Sequence, residues 1–161
     1  MDFEQRLRKA IERGEHSRSA RGQEELKKAL TEEELRNLHS RARLELSDHV
    51  EKCLRQMADN FPGFQYATVV SEDGWGAKIT RDDVQLQSGG RVGNRYSRFE
   101  MLIRPFSSAH IVELTVKGTI YNREVVNRSH YQHLERLDTD SFSEMVDLWV
   151  LEYAEQFAAR D

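Results

Sequence analysis

The stretch NRSHYQHLERLDTDS, residues 127–141, holds two histidines three apart, His130 and His133, with Glu135 two positions further on. Imidazole and carboxylate are the groups that bind zinc or move protons near neutral pH. To share a metal they must converge, and at this spacing convergence needs a helix. The residues just before them, REVVN, read as a strand. On a strand, residues three apart point to opposite faces. A zinc ion also needs three or four converging ligands, and the single cysteine, Cys53, lies far off in the chain. The expectation is therefore no metal and no cofactor.

Other stretches offer less. SGGRVGNR contains Gly89, Gly90 and Gly93. A glycine loop cradles phosphate when a helix N-terminus comes after it; here a strand does, so a plain strand connection is expected. Asp82 and Asp83 are adjacent. On a strand they point apart, which makes them poor acid–base partners, and a turn is the expected setting. Cys53 falls in a helical apolar stripe, which predicts a buried structural thiol. No nucleophile elbow or related local signature is present. No catalytic residue is assigned, and the balance favours a non-catalytic protein.

The bulk composition bounds the rest. A chain of 161 residues suits one domain with one core. With 38% hydrophobic and 32% charged residues, a folded domain with a very polar surface is expected. The N-terminus, MDFEQRLRKA, has early acids and no apolar run, so it does not read as a secretory signal. One cysteine fits a reducing compartment, and no run is long enough to span a membrane. A soluble cytoplasmic protein is the expectation. The net charge of −4 gives no global drive toward nucleic acid. Residues 64–136 carry 10 basic and 8 acidic side chains, whereas 137–161 carry 1 and 7. These are read as two solvated faces of one domain.

The elements that must position any site come from periodicity. Phe3, Leu7 and Ile11 form one stripe of a short helix that Gly14 is expected to stop. EHSRSARG (15–22) reads as a mobile linker, so residues 1–22 are taken as an arm and 23–161 as the domain. Thr31 and Glu34 form a capping box for a long helix. Leu35, Leu38, Ala42, Leu46, Val50, Cys53, Leu54 and Met57 are its apolar stripe, and Pro62-Gly63 ends it. From residue 64 the period is two. FQYATVV, WGAKI, SRFEMLIRPF, AHIVELTVKGTIY and REVVNRSHYQH read as strands, with a phase slip at Arg81–Asp83 taken as a bulge or turn. Ser141 and Glu144 make a second capping box before the aromatic stripe Phe142, Val146, Trp149, Tyr153 and Phe157. The fold class is α+β: a meander-like antiparallel sheet of about 4–6 strands, one face covered by the long N-terminal helix and the C-terminal helix.

A two-residue hairpin loop at Asn122-Arg123 would pair Tyr121 with Glu124. That register sets Leu114 against Tyr131, Val112 against His133, Thr115 against His130 and Lys117 against Arg128. His133 is then half-buried and His130 exposed. The uncovered face should carry Arg98, Glu100, Arg104, Glu113, Lys117, Arg128, His130 and Gln132. Of these, Arg98, Glu100, Arg104, Lys117, Arg128 and His130 are the candidate partner surface. The face has charge but no stacking aromatic pair, which argues against nucleic acid. A protein partner or a homo-oligomer is the favoured reading. The alternative is a small-ligand pocket between sheet and helices, lined by Tyr66, Trp75, Trp149 and Tyr153.

Overall fold

The computed structural model describes residues 2–30, 32–86, 89–90 and 92–160, without the side chains of 22–30 and 85. It divides into two compact units, 1–37 and 38–161. The first contains helix α1 (Phe3–Leu30) and the first residues of helix α2 (Glu32–Asn60). Helix α1 does not stop at Gly14 but runs on through 15–22. Glu, Arg and Ala in that stretch are sound helix formers, and the two interior glycines, Gly14 and Gly22, cost only about 1 kcal/mol each. Its stripe of Phe3, Leu7 and Ile11 is exposed. Thr31 lies outside the described residues, so the first capping box is not seen; Glu32, Glu33 and Glu34 occupy the first turn of α2, where the helix dipole favours acids.

The second unit holds the rest of α2 and a five-stranded antiparallel sheet. Its strands are β1 (Gln65–Ser71), β2 (Gly74–Leu86), β3 (Val92–Ile103), β4 (Ile111–Ile120) and β5 (Arg123–His133), in meander order. Helix α3 (Thr139–Ala158) closes the chain. The α+β meander is as the periodicity predicts. No helix among the described residues is long and apolar enough to cross a membrane.

Helices α2 and α3 cover one face. Ala77, Ile79, Phe99, Met101, Ile103, Val112, Leu114, Val116 and Ile120 point into them and are buried. From α2 come Ala42, Leu46, Val50, Leu54 and Met57; from α3, Phe142, Val146, Trp149, Tyr153 and Phe157. Two positions of the α2 stripe differ from expectation. Leu38 is 38% exposed, and His39, at 3%, takes its place. Cys53 is half-exposed, because Leu54 occupies the inward position. Helix α3 begins one turn before the predicted capping box. Its N-cap is Asp138, whose carboxylate accepts from the Ser141 amide at 3.4 Å. Asp138 thus caps an orphan amide of the first turn, the role that Ser141 would have played one turn further on.

Strand β2 shows no slip at Arg81–Asp83. It pairs with β3 in one register from Trp75↔Ile103 to Leu86↔Val92. Asp82 and Asp83 therefore sit in a strand, not a turn. Arg81 and Asp83 share a face and bond at 3.0 Å, so charge continues the inward phase that apolar residues began. Val84 and Leu86 belong to the other face and are exposed.

The hairpin between β4 and β5 is the largest departure. Its loop is Tyr121-Asn122, not Asn122-Arg123, and Ile120 pairs with Arg123. Both loop residues have positive φ, 48° and 70°, as the primed turns that match strand twist require. Asn122 holds this conformation by extending the β3 ladder. Its amide donates to Tyr96 O at 2.8 Å. Its side-chain Oδ1 accepts from Tyr96 N at 3.0 Å, and Nδ2 donates to Asn94 O at 2.8 Å. Tyr121 N donates to the buried Ser97 hydroxyl at 3.1 Å. Further along, a bulge lies between Gly118 and Thr119, beyond which Gly118 faces Val126 and Leu114 faces His130. Beyond the bulge the net shift is one residue, and one residue flips every β5 side chain from Val126 on.

Replacing Asn122 with Gly keeps the backbone φ accessible but removes both side-chain bonds. Chemical denaturation of Asn122→Gly should show a loss of about 1–2 kcal/mol. An unchanged midpoint would mean that the turn holds without the amide.

Candidate functional site

The face of the sheet away from α2 and α3 carries the even-numbered residues of β3 and the odd-numbered residues of β4. Arg98, Glu100 and Arg104 stand beside Glu113 and Lys117, with Glu100 directly across from Lys117. Alternation alone puts them there. Four of the six residues predicted for the partner surface, Arg98, Glu100, Arg104 and Lys117, are thus brought together. The other two are not. Arg128 pairs with Val116 in the ladder and reaches Glu152 of α3 at 3.7 Å. His130 pairs with Leu114 and sets its ring edge-on to Phe142 at 5.0 Å. The bulge turned both toward the helices, and Gln132 with them. Asn127, Ser129 and Tyr131 take their places on the open face.

The two histidines do lie on opposite faces, but with the assignments exchanged. His130 is half-buried on the helix side, and His133 is exposed beside Tyr131, ring centroids 5.9 Å apart.

The open face forms a cleft of about 420 Å³ bordered by Glu100, Arg104, Glu113, Thr115, Lys117 and Ser129, among others. Its charges are set by neighbours. Arg98 bonds Glu100, whose carboxylate is mostly buried. Arg104 donates to Asp73 O at 3.2 Å and lies 3.8 Å from the Glu113 carboxylate. From the helix side, the His39 ring bonds the Arg104 carbonyl oxygen at 3.1 Å. Since that oxygen only accepts, Nε2 must carry the proton. The cleft thus offers paired donors and acceptors suited to recognising a polar surface.

The four residues considered for a ligand pocket lie on the covered face. Trp149 and Tyr153 are 4% and 1% exposed. The Tyr153 ring packs on Phe99 at 4.6 Å, and its hydroxyl donates to Thr119 O at 2.7 Å. Trp75 and Tyr66 lie under the guanidinium groups of Arg43 and Arg55, at 4.2 and 4.8 Å. Each is thus covered by other side chains, Tyr153 by Phe99 and Trp75 and Tyr66 by arginines of α2.

A third group is not anticipated by any local pattern. His49 and Cys53 on α2 meet Asp147 on α3. Burial, with the Asp147 carboxylate beside it, pushes the Cys53 thiol up to about 11, so it is a neutral thiol at physiological pH and not an activated nucleophile. The i, i+4 spacing of His49 and Cys53 is visible in the sequence; the contribution of Asp147 is not.

Compared with protein-family models, curated proteins and solved structures, the chain gives no significant match.

Burial lowers the pKa of His39 below its ordinary 6.5, and Arg43 adds to this; the bond to Arg104 opposes it. As pH falls below about 6.5, the unfolded chain takes up the proton first. The stability from neutral His39 is complete above that pH and is lost as pH falls toward the folded value. The melting temperature should therefore drop between about pH 7.5 and 5.5, and His39→Gln should flatten that drop. Equal slopes in both proteins would place the pH sensitivity elsewhere.

Proposed function

We propose that the protein is a non-catalytic interaction module whose open sheet face binds a segment of another protein. The observation that carries this reading is that charged and aliphatic residues lie on the same face of the sheet. The charged cleft of Arg104, Glu113 and Lys117 shares its face with exposed Val84, Leu86 and Val92 at the far end of the β2–β3 hairpin. Exposed Tyr131 lies on the same face. Aliphatic area supplies affinity, while fixed charges supply register and exclude wrong partners. Arg and Tyr are favoured anchors at such surfaces. The paired ions also lower the entropy lost on binding, because their side chains are already ordered.

Self-association through the same face is the other outcome that the test resolves. Tagged full-length protein is used to capture partners from lysate of its source, read by mass spectrometry, and light scattering gives its mass in solution. The double variant Arg104→Glu/Lys117→Glu should lose a stoichiometric partner, or turn a dimer into a monomer. Reversing two charges at a protein interface should weaken binding by about 10-fold or more. A wild-type protein that is monomeric and recovers no partner, or a variant that keeps every interaction, defeats the reading.

A further inference from the structure

On the outer side of the helix pair, three side chains of different chemistry point at one spot. His49 and Cys53, four apart on α2, share a face of that helix, and Asp147 comes to them from α3. The Cys53 sulfur lies 3.6 Å from His49 Nε2 and 3.5 Å from Asp147 Oδ1. His49 Nε2 and Asp147 Oδ1 are 2.8 Å apart. We propose that these three residues bind a zinc-class divalent cation through one imidazole nitrogen, one carboxylate oxygen and the Cys53 sulfur, whose thiol proton is released to solvent as the ion binds.

Geometry separates this from a catalytic arrangement. In a nucleophile–His–acid triad the acid holds one ring nitrogen and the nucleophile uses the other. Here thiol and carboxylate both converge on Nε2, so the three donor atoms form a triangle rather than a relay. The triangle has the right size. A tetrahedral zinc ion with bonds of about 2.3 Å to sulfur and 2.0–2.2 Å to nitrogen and oxygen spaces its sulfur about 3.5–3.6 Å from each of the other two donors. Two of the three observed edges match that spacing. The third is a hydrogen bond, shorter than the corresponding metal edge by about half an ångström. Asp147, with a side chain 52% exposed, has room to rotate by that much.

The donor set selects the ion. Thiolate and imidazole favour zinc and its neighbours over magnesium and calcium, which prefer all-oxygen sites. Three protein ligands leave one position for water or another donor. Beside the triangle lies a cleft of about 300 Å³ bordered by Gln56, Met57, Asn60 and Leu151, so that position has access to solvent. The bound ion would also link α2 to α3.

The test uses full-length protein after chelator treatment, titrated with Zn²⁺ alone and with Co²⁺ alone. One equivalent of Co²⁺ should give a thiolate-to-cobalt charge-transfer band, and Zn²⁺ should displace it. Zn²⁺ should raise the melting temperature in a concentration-dependent way, whereas excess Mg²⁺ should not. Cys53→Ser should abolish the band. Asp147→Asn should weaken binding by at least the roughly 10–100-fold that loss of even an outer partner costs. His130→Gln/His133→Gln should bind as the wild type does. Because the band is read first on the wild-type protein, a variant that fails to fold does not leave the question open. Folded wild-type protein with no thiolate band in excess Co²⁺ overturns the proposal. So does one-equivalent binding that survives both Cys53→Ser and Asp147→Asn, or that is lost in the His130/His133 control.

Discussion

The fit of Tyr153 over Gly118 governs the rest of the structure. A β-carbon at Gly118 would sit 3.1 Å from the Tyr153 ring, 3.2 Å from the Phe99 ring and 2.6 Å from Val126. Only glycine lets α3 lie this close to the sheet centre while Tyr153 OH reaches Thr119 O. The bulge falls at this same place, between Gly118 and Thr119. Bulges increase local twist and re-aim the side chains beyond them. Here the re-aimed strand is β5, so Arg128 and His130 meet α3 while Ser129 and Tyr131 meet solvent. The close fit at Gly118 and the bulge that sets which β5 residues the opposite face presents thus fall at one place.

Much of the fold is legible in the sequence because it is written in local period. The α2 and α3 stripes and the alternation in β3 and β4 each depend on residues within one element, and burial of one face is the direct consequence. The illegible remainder depends on neighbours that periodicity does not name. Asn-Arg and Tyr-Asn are both poor matches to the favoured Asn-Gly turn. The choice between them is made by Asn94, Tyr96 and Ser97, more than twenty residues upstream, which hold Tyr121 and Asn122 in place. Ser141 and Asp138 could each cap α3. The loop from β5 selects Asp138, whose own amide is held by Gln132 at 2.8 Å. Periodicity alone cuts the β2 strand short because charges enter its inward phase; the Arg81–Asp83 pair, with Arg81 also donating to Pro62 O, lets the strand continue.

The same division explains the candidate sites. Alternation places Arg98, Glu100 and Lys117 correctly because each lies within a strand with no bulge before it, and Arg104, one residue past the end of β3, keeps the phase because its amide bonds Glu113 O. It misplaces Arg128 and His130 by one residue because they lie beyond the bulge. His39 shows a subtler limit. The stripe read from the sequence names Leu38 at this turn, but His39 is the buried residue, and its ring bonds the backbone of Arg104, whose side chain belongs to the open face. Core and surface are coupled there through one carbonyl, which sequence periodicity cannot reveal.

The sheet separates two kinds of recognition within the second unit. On its open side, donors and acceptors are dispersed over a broad face and held by ion pairs, as suits a large partner whose affinity comes from many modest contacts. On the helix side, three donors converge within 3.6 Å on one point, as suits a single small cation. The packed core lies between them, and neither set of side chains contributes to the other. Stiffening the α2–α3 contact from outside would act on the open face only through that core, where Leu46, Val50 and Val146 are fully buried and a close-packed interior leaves little room for rearrangement. Occupancy of the cation site should therefore change the stability of the module more than the shape of its binding face.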